Sequence, residues 1–172
     1  MRTSYLLLSF AGLLAACAAK PPPAPSAVAQ LQPTKGNTAQ GTVRFERTGD
    51  VVRVTGEIKG LKPDAEHGFH IHEKGDCSSG DGMSAGGHFN PAAKAHGAHD
   101  GMEHHAGDLP SLKADAGGVV KLNFESRVLS VGDGKGDVVG RGLIVHRDPD
   151  DYKTQPTGNS GPRLACAAIT RE

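Results

Sequence analysis

Residues 40–59, QGTVRFERTGDVVRVTGEIK, carry a period of two on both sides of a Thr48-Gly49-Asp50 turn. On the first arm Thr42, Arg44 and Glu46 face one way and Val43 and Phe45 the other, the alternation of a half-buried strand. The second arm, 51–59, returns with the same period, so the pair predicts an antiparallel hairpin. Working outward, weaker alternation at 27–32 and strand-like runs at 67–72, 119–125, 138–146 and 163–170 extend the pattern. Outside the N-terminal segment no run of ten residues sustains a 3.6-residue apolar period. The expected fold is all-β, a Greek-key barrel or sandwich of about eight antiparallel strands. Two connections, 73–109 and 147–162, are long and poor in core-forming residues, and they hold the unusual side chains, which marks them as functional loops.

Composition agrees. The 172 residues are one domain's worth. Their 24 Gly are about twice the usual share of roughly 7%, as a turn-rich chain requires. Nineteen Lys and Arg balance nineteen Asp and Glu, which excludes nucleic acid as a partner and any whole-molecule field of one sign.

The N-terminus reads MRTSYLLLSFAGLLAAC, one charge at Arg2 followed by an apolar run too short for the roughly 20 residues of a bilayer span. Residues 1–16 are therefore expected to be an export signal. Leu14-Ala15-Ala16-Cys17 resembles a bacterial lipobox, which implies that Cys17 carries acyl chains. Residues 17–26 then form a lipidated cysteine with a Pro- and Ala-rich tether, and 27–172 the folded domain. An exported chain is in an oxidising compartment, so the other two cysteines, Cys77 and Cys166, are expected to pair.

Nine histidines are unusual for this length. His70 and His72 stand at i and i+2, the same face of a strand and within reach of one ion, although an isolated His-x-His is weak by itself. The long loop adds His88, His96 and His105, with Asp108 three residues on: three imidazoles and a carboxylate, a closed tetrahedral set suited to Zn²⁺. His146, ending the run 138–146, can join His70 and His72 around a second ion. The acidic run 148–151 has no oxygen-ligand spacing that fits calcium.

Five runs in order, HGFHIH (67–72), GGHFNP (86–91), HAGDLP (105–110), GRGLIVH (140–146) and TGNSGPRLAC (157–166), resemble copper/zinc superoxide dismutase, and GDLP with the lipobox resembles its bacterial exported lipoprotein form. The resemblance covers about residues 27–172. It implies copper on His70, His72, His88 and His146, and zinc on His88, His96, His105 and Asp108, with His88 shared by both ions. It matches Cys77 and Cys166 to the family disulfide, Arg163 to the anion-binding arginine beside the copper, and Thr157 to the threonine of the channel mouth. Asp150 matches the aspartate that hydrogen-bonds a copper ligand, His70, and a zinc ligand, His96, and His67 matches a position packed under the copper site. His99 and His104 match nothing; they could recruit scarce metal during loading, but the ordinary expectation for them is exposed, solvated side chains.

The implied activity is disproportionation of superoxide to O₂ and H₂O₂, with Arg163 and His88 catalytic. The implied location is the periplasmic side of the bacterial envelope, anchored by lipid; Ala18 after Cys17 resembles the sorting pattern for the outer membrane. A non-catalytic copper/zinc storage or delivery module is the competing class; such a module is expected to lose a copper histidine or the arginine, and here all are present. Compared with the eukaryotic pattern, the interval from Cys77 to His88 is longer and that from His146 to Arg163 shorter, which leaves monomer and homodimer both open.

Overall fold

The structure, a computed structural model, describes residues 24–172. The signal 1–16, Cys17 and the tether as far as residue 23 lie outside the described residues. Nine antiparallel strands follow: β1 Ser26–Pro33, β2 Gln40–Thr48, β3 Val51–Lys59, β4 Glu66–His67, β5 Phe69–His72, β6 Leu112–Lys113, β7 Val120–Ser126, β8 Gly142–His146 and β9 Arg163–Arg171. Seven form one sheet in the order β5-β8-β9-β1-β2-β3-β7, curled into a half-barrel, and β4 pairs β6 separately.

The alternation of the opening hairpin sets which face is inside. Val43 and Phe45 on β2 and Val52, Val54 and Ile58 on β3 are at most 1% exposed, and Ala27, Ala29 and Leu31 of β1 join them. Register follows, Phe45 opposite Val54 and Ala27 opposite Phe45, so the apolar faces coincide and one core forms. The turn is two residues, Gly49-Asp50, with Thr48 already paired to Val51.

Two expected strands are shorter than their sequence suggests. Segment 67–72 is split at Gly68, whose N–H donates to Asp148 O (2.9 Å) and whose carbonyl accepts from His146 N–H (2.8 Å). Segment 138–146 is a strand only from Gly142; residues 138–141 form a turn closed by Arg141 N–H to Val138 O (3.1 Å). Val138 is fully buried inside that turn, and burial without a ladder leaves the same apolar signature as a strand.

The two long loops are bound back onto the sheet. Loop 73–109 returns to the outer edge of β5, where Phe89 N–H donates to Ile71 O (2.8 Å), Ile71 N–H to Gly107 O (2.9 Å) and Gly107 N–H to Phe89 O (2.8 Å). Only glycine fits at 107, because a Cβ there would fall on the Ile71 carbonyl. The disulfide Cys77–Cys166, Cα atoms 5.9 Å apart, fastens the same loop to β9. Loop 147–162 is held at its mouth by Arg147 N–H to Pro162 O (2.8 Å) and Asp148 N–H to Ser160 O (3.0 Å).

Candidate metal centre

Strand period and loop register together bring the histidines to one place. On β5, Phe69 and Ile71 point into the core, so His70 and His72 point to the other face, where the loops bury them to 0% and 1% exposure. Isolated bridges set His72 opposite His88 and His70 opposite Asp108. β8, antiparallel to β5, ends with His146 on the same side, its Nε2 3.3 Å from His72 Nε2.

Two groups result. The candidate ligand atoms of His70, His72, His88 and His146 all lie within 4.8 Å of one another, as do those of His88, His96, His105 and Asp108. All seven side chains are buried, and His88 belongs to both groups.

The hydrogen bonds decide which ring atom faces each centre. His70 Nε2–H donates to Asp150 Oδ2 (2.7 Å), His72 Nδ1–H to Gly86 O (2.9 Å) and His146 Nδ1–H to Gly161 O (3.1 Å). Each ring is thereby fixed in the tautomer whose bare nitrogen points inward. Three inward atoms of the two groups, His70 Nδ1, His88 Nε2 and His96 Nδ1, are buried without a hydrogen-bond partner. An unpaired buried polar atom costs about 1–3 kcal/mol, so a cluster of bare lone pairs fits a cation and little else. In the second group Asp108 divides its oxygens. Oδ2 accepts from the backbone N–H of Gly97 (3.1 Å) and His105 (2.8 Å), while Oδ1 lies 2.9, 3.1 and 3.3 Å from Nδ1 of His88, His96 and His105.

Burial pushes the pKa of His70 down to about 4 and of His146 to about 3, and that of His72 well below the usual range, so these rings are neutral donors at neutral pH. Burial would do the same to His96, but the adjacent carboxylates of Asp108 and Asp150 outweigh it and raise its pKa to about 9. Burial alone would raise both carboxyls; the histidine hydrogen bonds win and hold Asp108 and Asp150 well below the usual range.

Asp150 spans the groups, taking His70 on Oδ2 and His96 Nε2–H on Oδ1 (2.9 Å). Arg163, half-buried, donates to Gly82 O (2.5 Å) and Gly86 O (2.7 Å); Gly86 O is also the acceptor for His72. His67 is buried and its Nδ1–H donates to the His146 carbonyl (2.9 Å), below the first group. Thr157 is exposed, and its part in the loop is a carbonyl that accepts from Ser160 Oγ (3.5 Å).

One expectation is overturned. His104 is only 9% exposed and His99 is half-buried, each tied to a backbone carbonyl, so neither is a solvated surface side chain. Two braces are not among the candidate residues read from the sequence. Gln155 exchanges hydrogen bonds with the backbone of His96, Oε1 accepting from N–H (2.9 Å) and Nε2–H donating to O (2.9 Å). Gly158, with φ 64°, lies where a Cβ would overlap the Asp150 carboxylate and the His96 ring. Gly158 had a visible signal, a glycine inside a functional loop, whereas nothing marked Gln155.

Residues 39–169 match the family model of copper/zinc superoxide dismutase. The chain is 40% identical over 150 residues to superoxide dismutase (Cu-Zn) of Paramecium bursaria Chlorella virus 1, covering 84% of this chain and 77% of that protein. It is 38% identical over 145 residues to superoxide dismutase (Cu-Zn) 2 of Aquifex aeolicus strain VF5, covering 82% and 84% respectively. Among solved structures it is similar to the crystal structure of the clock protein EA4, with TM-score 0.79, 35% identity, and 89% of this chain and 98% of that chain covered.

Proposed function

The chain belongs to the copper/zinc superoxide dismutase family, and from that premise we propose how its own residues perform the reaction. The enzyme disproportionates superoxide, two ions and two protons giving O₂ and H₂O₂, with copper and zinc as cofactors. We assign copper to His70, His72, His88 and His146, and zinc to His88, His96, His105 and Asp108. Bound copper supplies the alternating one-electron chemistry and redox-inert zinc a fixed positive charge.

The protein's part is to hold, orient and protonate. Gly86 O, Gly161 O and Asp150 lock the outer nitrogens of His72, His146 and His70, so the inner lone pairs keep their aim while the charge at the centre changes. His88 faces the first group with Nε2 and the second with Nδ1, so Nε2 is the atom that can hold a proton and release it toward peroxide. Two backbone carbonyls pin Arg163 and leave its remaining N–H groups for a small anion. With no net charge on the chain, attraction of superoxide falls to such local cations. Asp150 and His67 are positioning residues, and Thr157 is assigned to the channel rim.

The observation that carries these assignments is the set of buried, unpartnered imidazole nitrogens in two groups that share His88. Superoxide turnover should vanish when copper is withdrawn and return with copper but not with zinc alone. Arg163→Ala should lower kcat/KM about 10-fold or more with copper content intact; unchanged turnover per bound copper would remove Arg163 from substrate attraction.

For location we propose the periplasmic side of a bacterial envelope, with Cys17 lipidated after removal of residues 1–16 and the anchor in the outer membrane. The lipobox-like run and a disulfide suited to an oxidising compartment support this reading. Radiolabelled palmitate should enter the wild-type chain and not Cys17→Ser; equal labelling would overturn it.

A further inference from the structure

We propose that His99 and His104 form a third cation site, outside the two buried groups, that takes a borderline divalent ion such as Cu²⁺ or Zn²⁺ through their Nε2 atoms. The starting observation is the way the two rings are held. His99 Nδ1–H donates to the carbonyl of Asp108 (2.8 Å), and His104 Nδ1–H to the carbonyl of His105 (2.7 Å). Nδ1 bound to a backbone carbonyl is the arrangement of His72 and His146, and it leaves Nε2 as the bare lone pair on each ring. Among the described residues neither Nε2 has a hydrogen-bond partner, and neither is fully enclosed, so both remain open to a ligand entering from the cleft.

The separation also fits. The ring centroids of His99 and His104 are 5.7 Å apart with planes at 52°, against 5.5 Å and 58° for His96 and His105, which share one of the buried groups. His99 is steadied from behind by an edge contact to Phe124, centroids 5.6 Å apart. Both rings line a cleft of about 330 Å³ whose wall also carries Asp100, Glu125, Ser126 and Arg127. The cleft admits waters to complete the coordination, and Arg127 opposes a cation, so this two-histidine site binds more weakly than the buried groups. Two imidazoles completed by water follow the ordinary affinity order, Cu²⁺ above Zn²⁺.

The site stands apart from the dismutase reading, and its test counts ions rather than turnover. The full chain, first filled with copper and zinc, is titrated with CuSO₄ and followed by equilibrium dialysis and electron paramagnetic resonance. The expected result is one further Cu²⁺ per chain with nitrogen couplings from two imidazoles. His99→Asn and His104→Asn keep an amide N–H for the same carbonyl and lack Nε2, so the double variant should lose that one equivalent. Binding that stops at the two original ions, a further Cu²⁺ without imidazole nitrogen couplings, or a further equivalent that survives in the double variant would each overturn the proposal. The spectrum of the wild-type chain supports or overturns it even if the variants fold poorly.

Discussion

The two buried groups share one histidine and are built in opposite ways. Three of the four side chains around the first centre, His70, His72 and His146, stand on strands β5 and β8, whose positions are fixed by the ladder they share. All four around the second, His88, His96, His105 and Asp108, come from the single loop 73–109. The first is therefore preformed by the fold. The second is assembled from outside, by a disulfide, by Gln155 on the His96 backbone, by Asp150 and by the β5 edge. Redox chemistry needs donors that keep their aim, and the strand-built group supplies them; the loop-built group needs only to close around an ion whose charge never changes.

Breaking the covalent brace should give the largest effect. Changing Cys77 and Cys166 together to Ser opens a ring spanning 89 residues of separation and should cost about 4–5 kcal/mol in urea unfolding. A loss below about 1 kcal/mol would mean that hydrogen bonds alone hold the loop. Next, chelation of both metals should strip hydrogen-exchange protection from residues 88–109 and from Ile71, which bonds to Gly107, while His70, His72 and residues 142–146 keep most of theirs. Ions held at about 1,000 times their Kd contribute about 4 kcal/mol. Equal loss in strands and loop would erase the distinction between the groups.

Asp150→Asn should lower metal affinity by about 10–100-fold, because an amide cannot accept from both His70 and His96. Competition with a zinc chelator should show the larger share of that loss in the loop-built group, since β5 still holds His70. The smallest effect is a difference of sign with pH in the metal-free chain. His70 and His146, with pKa values lowered to about 4 and about 3, refuse protons that the unfolded chain accepts below about 6.5, so stability falls as pH drops from there. His96, raised to about 9, contributes stability fully below about 6.5 and loses it as pH climbs toward 9. Melting temperature against pH should peak near 6.5, and a steady rise from pH 5 to 9 would contradict the assignment of His96.

Much of this was legible in the sequence, and the rest fails for identifiable reasons. Period two placed Val43, Phe45, Val52 and Val54 in the core and His70 and His72 together on the far face, because strand geometry is local. Spacing proposed the loop set His88, His96, His105 and Asp108, but the register that brings it to β5, His72 opposite His88, depends on a fold-back no local pattern encodes. The same fold-back buried His104, which as a loop histidine read as solvated. Residues 138–141 read as strand because Val138 and Val139 are apolar, yet they serve as a packed turn. Gln155 was invisible because an amide that braces backbone has no spacing signature.

The outer edge of β5 carries a last consequence. A terminal strand with free N–H and C=O groups is a template for another chain, and here the cover over that edge is the segment Gly87–Leu109 that carries the loop-built group. Losing the ions is therefore expected to loosen the edge guard as well. A chain emptied of metal should then become sticky as well as inactive, with self-association that tracks metal content rather than heat.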